Sequence, residues 1–130
     1  SHTGSLAKLF QETLKDRINW FRRQTRHEWE LSLADAYLSR GDYLRATIFL
    51  YEAFVSSAAY DRKLATDDYK QREEAWQEAK ASKPLAKKLE YLRNALSHGI
   101  KSDDREIAAI VADEQRLVKK LEEFRKKLFP

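Results

Sequence analysis

The sequence predicts an all-α fold, one helical bundle of about five or six helices. Two observations lead there. Apolar residues recur at steps of three and four along almost the whole chain, which is the period of a helix with one buried face. Three Gly and two Pro in 130 residues leave too little turn punctuation for an all-β or doubly wound chain.

Each element follows from local signals. Leu6, Leu9, Phe10, Leu14, Ile18 and Phe21 share one stripe and predict a helix over 6–24. A second helix over 27–40 carries Trp29, Leu33, Ala34, Tyr37 and Leu38, and Gly41 ends it in a left-handed turn. Asp42 caps a third helix with Leu44, Ile48, Tyr51, Ala53 and Val55, running to about Leu64, where Thr66-Asp67-Asp68 breaks it. The Arg40-Gly41-Asp42 tripeptide is thus read as stop-and-cap, not as an adhesion motif. A polar helix over 69–81 has Tyr69, Ala75, Trp76 and Ala79 to bury. Ser82-Lys83-Pro84 restarts the chain, with Pro in the first turn and Leu85, Leu89, Leu92 and Leu96 on the apolar edge. Gly99 closes that helix. Asp103 and Glu106 are spaced as a capping box for one last helix carrying Ile107, Ile110, Leu117, Leu121, Phe124 and Leu128. Glu114 interrupts its seam, which favours packing on the bundle over a long coiled coil.

The stretch Trp29, Leu33, Tyr37, Gly41-Asp42-Tyr43, Ala46, Tyr51 resembles a single tetratricopeptide hairpin. A solenoid needs about three such copies to close its core. With one copy, the reading is a tight helix–turn–helix inside a single domain over 5–130.

Composition removes several function classes. The absence of Cys excludes disulfides, cysteine zinc sites and thiol nucleophiles, and agrees with a cytoplasmic setting. No apolar run approaches the roughly 20 residues of a membrane span, so no membrane partner is expected. No Gly-rich phosphate loop and no His-Glu-x-x-His spacing occurs, and no metal or cofactor is expected. A net charge of +4, from 25 basic and 21 acidic residues, permits phosphate contact without requiring it. The opening residues 1–4 read as linker or tag remnant, which sets His2 aside. The missing initial Met implies a processed chain or a piece of a longer protein.

One segment could carry chemistry: Leu92-Arg93-Asn94-Ala95-Leu96-Ser97-His98-Gly99. Arg93 offers a permanently charged, forked donor suited to a phosphate. His98 offers a group of the kind that exchanges protons near neutral pH. Leu92, Ala95 and Leu96 can anchor the segment to a core. On an unbroken helix, five positions leave Arg93 and His98 roughly 140° apart, whereas Asn94 and His98 lie on nearly one face. Either the helix opens near Gly99 or two chains pool their residues. Arg22 and His27 share the spacing, but Arg22-Arg23-Gln24-Thr25-Arg26-His27 lacks the apolar anchors and reads as a basic helix junction. Arg22, Arg23 and Arg26, with Lys101, are auxiliary RNA-contacting candidates. Arg93 and Asn94 equally suit ordinary exposed helix positions, with His98 complementing the helix dipole.

The Arg93-Asn94 and Ser97-His98-Gly99 pattern, on a late helix of an all-α chain, resembles the HEPN ribonuclease motif. The hairpin from Leu33 to Val55 is also similar to the carboxy-terminal HEPN region of CRISPR-associated type III accessory ribonucleases, in which an upstream CARF domain senses cyclic oligoadenylate. The resemblance implies a homodimer that cleaves single-stranded RNA without a metal. In it Arg93 stabilises phosphate charge, His98 moves a proton, and Asn94 positions the phosphate or His98. The attacking group is the substrate's 2′-hydroxyl, which selects RNA over DNA. It also implies a CARF sensor upstream in the full-length protein. Two other readings stand beside it. One is a HEPN toxin held by a nucleotidyltransferase antitoxin, although that motif usually has Tyr two residues after His, where this chain has Ile100. The other is a non-catalytic helical interaction module.

Overall fold

The computed structural model describes residues 2–99 and 101–130, without the side chains of residues 2, 3 and 19–23. Among the described residues the chain is all-α, with seven helices and no strand. They are α1 (His2–Arg23), α2 (Arg26–Ser39), α3 (Tyr43–Asp61), α4 (Tyr69–Ser82), α5 (Pro84–His98), α6 (Arg105–Val111) and α7 (Glu114–Leu128).

α3 is the central post. It packs against α2, α4, α5 and α7, while α5 also meets α4, α6 and α7, and α6 lies on α7. Nine of the nineteen α3 residues are buried, which its Ala-rich sequence permits by letting neighbours approach closely on several sides. Leu50, Trp76, Leu89, Leu92, Ile107, Leu121 and Phe124 are fully buried and form the middle of the core. Trp76 is held edge-on by Tyr51 and Phe54, with ring centroids 5.1 and 5.8 Å away. Such aromatic pairs add roughly 0.5–1.5 kcal/mol each beyond the area they bury.

Two connections use the same stop. At the end of α2, Asp42 N–H donates to Tyr37 O and Gly41 N–H to Leu38 O, with Gly41 left-handed at φ 75°. At the end of α3, Leu64 N–H donates to Ala59 O and Lys63 N–H to Tyr60 O, with Lys63 left-handed at φ 57°. Both are Schellman caps that satisfy the last carbonyls of a helix. The second stops α3 at Asp61, before the expected end near Leu64.

The helix count exceeds the expected five or six because the last predicted helix is two. Asp113 accepts from Gln115 N–H and Arg116 N–H at 3.0 and 3.3 Å and starts α7 afresh. The cap of α6 is Asp104, whose carboxylate accepts from Ile107 N–H at 3.0 Å, so the Asp103–Glu106 capping box is not formed. Lys88 of α5 pins Asp104 in that position and reaches Glu106 at 3.5 Å, and Lys120 of α7 bonds Glu106 at 2.6 Å. The bond from Lys88, with help from Ile107 N–H, holds the Asp104 carboxyl below its usual range.

The α1 stripe departs most from expectation. Leu6, Leu9 and Phe10 are 67%, 60% and 69% exposed, and α1 is absent from the packed helix pairs above. Its apolar face is presented to solvent and does not line the core. Phe21, the last member of that stripe, lies outside the described side chains.

Candidate functional site

α5 is regular from Pro84 to His98 and ends where Gly99 turns left-handed at φ 62°. Leu89, Leu92 and Ala95 are buried along its inner face, which fixes the rotation of the helix. That rotation turns Arg93 towards α3. Its guanidinium carbon sits 4.7 Å from the centroid of the Tyr51 ring, and Nη1 donates to Asn94 Oδ1 at 3.0 Å. His98 is the last residue of the helix, exposed, and its side chain makes no hydrogen bond among the described residues. Because the helix does not open before Gly99, the two side chains leave it roughly 140° apart and about 7.5 Å apart along the axis. One chain therefore joins Arg93 with Asn94 and leaves His98 apart.

Arg93 is unusual among its kind. Four described arginines are half-buried: Arg26, Arg72, Arg93 and Arg125. Arg26 lies 3.6 Å from Glu30, Arg72 bonds Glu52 at 2.5 Å, and Arg125 bonds Asp35 at 2.8 Å. Arg93 alone of the four has no carboxylate partner among the described residues. A partly desolvated guanidinium held over an aromatic face, with donors to spare, is a ready receptor for a phosphate.

Arg93 forms one wall of a cleft of about 360 Å³ between α3, α4 and α5. Tyr51, Glu52, Arg72, Trp76, Tyr69 and Glu73 line the rest together with Val55. Burial, aided by the Glu90 carboxylate and opposed by Arg93, pushes the Tyr51 phenol up to about 12, so Tyr51 stays neutral and serves as a ring rather than a base. Trp76 Nε1 donates to Glu90 Oε2 at 2.6 Å and leaves its indole as part of the cleft floor.

Arg72 anchors the opposite wall. Its Nη1 donates to Ser56 Oγ at 2.7 Å and to Thr66 O at 2.9 Å, and Nη2 donates to Glu52. Ser56 in turn donates to Glu30 Oε1 at 2.5 Å, deep between α2 and α3. Burial raises the Glu30 carboxyl above its ordinary value of 4.5, against the Ser56 bond and the nearby Arg26 and Arg72 charges. Buried charges of this kind persist only when bonded on several sides, as these are.

Of the auxiliary basic residues, neither Arg26 nor Lys101 lines the cleft beside Arg93. Arg26 donates Nη1 to Thr66 O at 2.7 Å and so ties the start of α2 to the α3–α4 connection. His27 is half-buried with its ring 5.1 Å from that of Tyr60, which gives the second Arg-x4-His spacing a packing role. Lys101 is exposed beyond α5. The side chains of Arg22 and Arg23, and Ile100 altogether, lie outside the described residues. Tyr69, expected in the core, is 83% exposed at the lip of the cleft. The sequence reading singled out neither Arg72 nor Glu73. The Tyr69–Glu73 spacing of four was the one available signal, since it puts both on one face of α4.

Among the described residues, no three His, Asp or Glu side chains converge as a metal-binding group, and no helix is long and apolar enough to cross a membrane. No protein-family model, curated protein or solved structure matches the chain.

Proposed function

We propose that this chain is a HEPN-type endoribonuclease domain that cleaves single-stranded RNA as a homodimer without a metal. The observation that carries the reading is Arg93: half-buried, stacked on Tyr51 and lacking a carboxylate partner among the described residues, on the same helix as an exposed His98. Since α5 holds the two side chains on different faces, the reaction draws on two chains, each bringing the end of α5 to a shared RNA backbone. The resemblance noted above extends the reading to an effector part of a cytoplasmic CRISPR type III defence protein, with a CARF sensor upstream answering to cyclic oligoadenylate.

The chemistry is transesterification. One His98 imidazole takes the proton from the 2′-hydroxyl, whose oxygen attacks the adjacent phosphorus. Arg93, steered by Asn94, meets the charge that accumulates on the non-bridging oxygens. The P–O5′ bond breaks, and the same His98 passes the proton on to the leaving oxygen. A 2′,3′-cyclic phosphate and a free 5′-hydroxyl result. A placed proton-transfer group contributes about a hundred- to ten-thousandfold, and a charge-stabilising donor a similar factor.

The test compares wild type, Arg93→Ala and His98→Ala on single-stranded RNA in EDTA, with circular dichroism as a folding control. The expected outcome is cleavage by wild type alone, with cyclic-phosphate ends, and partial recovery when the two variants are mixed. Equal cleavage by all three proteins would end the assignment.

A second reading is favoured by a different observation, the solvent-facing Leu6, Leu9 and Phe10 of α1. A contiguous apolar face of this kind marks an interaction surface more often than idle surface. On that reading the domain docks partners and turns over no RNA, so the absence of cleavage by wild type at high concentration selects it.

A further inference from the structure

The cleft beside Arg93 contains two cations and two carboxylates, but they are not equivalent. Arg72 and Glu52 are bonded to each other, and Arg72 is further occupied by Ser56 and Thr66. That leaves Arg93 on the α5 wall and Glu73 on the α4 wall. Neither has an oppositely charged partner among the described residues, and no ion pair joins them across the cleft. Glu73 accepts one bond, from Gln77 Nε2 to Oε1 at 2.9 Å, and its other oxygen is unoccupied. The indole of Trp76 and the rings of Tyr51 and Tyr69 line the same cleft, Tyr69 with 83% of its surface exposed.

The ligand that complements such a cleft is flat, carries an anion at one end and presents N–H donors at the other. A nucleotide has this form. We propose that the α3–α4–α5 cleft takes one nucleotide of the RNA, its phosphate on Arg93, its base stacked against Tyr69 and its donor edge on the Glu73 carboxylate. This rests on the nuclease reading for the phosphate at Arg93 and deepens it by assigning a base-reading subsite. Carboxylates only accept hydrogen bonds, so they favour bases with donors at the edge. Guanine offers two adjacent donors, an imino and an amino group, and meets a carboxylate through both. Uracil offers one donor flanked by two carbonyls that the carboxylate repels. The cleft therefore selects guanine and rejects uracil. Stacking on an aromatic side chain adds affinity for any base and no selectivity of its own.

The measurement is binding of fluorescent 2′-O-methyl heptamers, which cannot be cleaved by 2′-hydroxyl attack. An all-uridine strand is compared with strands carrying one central guanosine, adenosine or cytidine. Wild type should bind the guanosine strand about tenfold or more tightly than the all-uridine strand, the range for one bidentate base contact. Glu73→Gln should bring the two affinities together, and Tyr69→Ala should weaken the guanosine strand about tenfold. Both residues are exposed on α4, and circular dichroism checks that the variants keep their helices. Equal affinity of wild type for the four strands overturns the proposal, as does a guanosine preference that survives Glu73→Gln. Cleavage of unmodified RNA is scored separately. Cleavage with no base preference removes the subsite and leaves the nuclease, while guanosine preference without cleavage does the reverse.

Discussion

Lys63 occupies a backbone position that suits glycine, and Lys63→Gly should stabilise the protein. Its φ of 57° lies in the left-handed region, where an L side chain costs roughly 1–2 kcal/mol relative to glycine. Against this, glycine gives the unfolded chain about 0.5–1 kcal/mol more conformational entropy to lose. The Lys63 side chain is exposed and makes no ion pair or hydrogen bond among the described residues, so little else changes. The cap itself is made by backbone groups, Leu64 N–H to Ala59 O at 2.8 Å and Lys63 N–H to Tyr60 O at 3.0 Å, which the substitution keeps. The net expectation is a gain of about 0.5–1 kcal/mol, or roughly 2–5 °C in Tm for a domain of this size. Gly41 supplies the mirror experiment. A Cβ built there meets nothing nearer than the Tyr43 hydroxyl at 3.8 Å, so Gly41→Ala has a conformational penalty alone. It should lose about 1 kcal/mol. Urea denaturation followed by circular dichroism reads both changes. A midpoint for Lys63→Gly at or below wild type, at unchanged m-value, would refute the argument.

Other outcomes follow from the buried polar groups. Trp76→Phe removes the indole bond to Glu90 and leaves a gap in a fully buried site. It should destabilise by about 2–4 kcal/mol, and a loss under about 1 kcal/mol in urea would show that the contact matters little. Glu30 has a raised carboxyl pKa in the folded state, so it binds its proton more tightly there than when unfolded. Its contribution is fully present below the ordinary value of 4.5 and declines as pH rises through the folded value. Glu30→Gln should therefore flatten that part of the stability profile, and an unchanged slope of the urea midpoint above pH 4.5 would contradict this. Asp104 has the opposite sign: its pKa is lowered, so its contribution is present above the ordinary 3.8 and is lost as pH falls through the folded value. Asp104→Asn should remove that acid-side loss, read as a smaller fall in Tm from pH 5 to pH 2.5.

What could be read from the sequence was whatever is decided locally. Gly41, Asp42, Asp68 and Gly99 end or start helices where the pattern puts them, because caps involve residues within a turn of one another. Lys63 performs the same task as Gly41 without glycine, and no local pattern marks it, since Leu64 and the packing beneath it hold the turn. The break at Asp113 was missed because the apolar steps on either side suit one continuous helix. Tyr69 carries the right residue type for a core but falls on the outer side of the first turn of α4. At the candidate site, the Arg93–Asn94–His98 segment was visible as a pattern, and the angle between Arg93 and His98 followed from helix geometry alone. The Tyr51 ring beneath Arg93 was not visible. Nor was the Glu30–Ser56–Arg72–Glu52 chain, whose direct partners stand 16 to 26 positions apart. Contacts at that range are created by the fold and leave no periodic trace.

The saturation of Arg72 has a bearing on how the cleft would meet a guest. Its guanidinium grips α3 at two places and the strap before α4 at a third, and through Ser56 it is coupled to α2. That side of the opening is set like a mould before anything is poured. Little ordering is left to do on arrival, so affinity there is governed by fit, and a guest of the wrong outline is refused instead of accommodated.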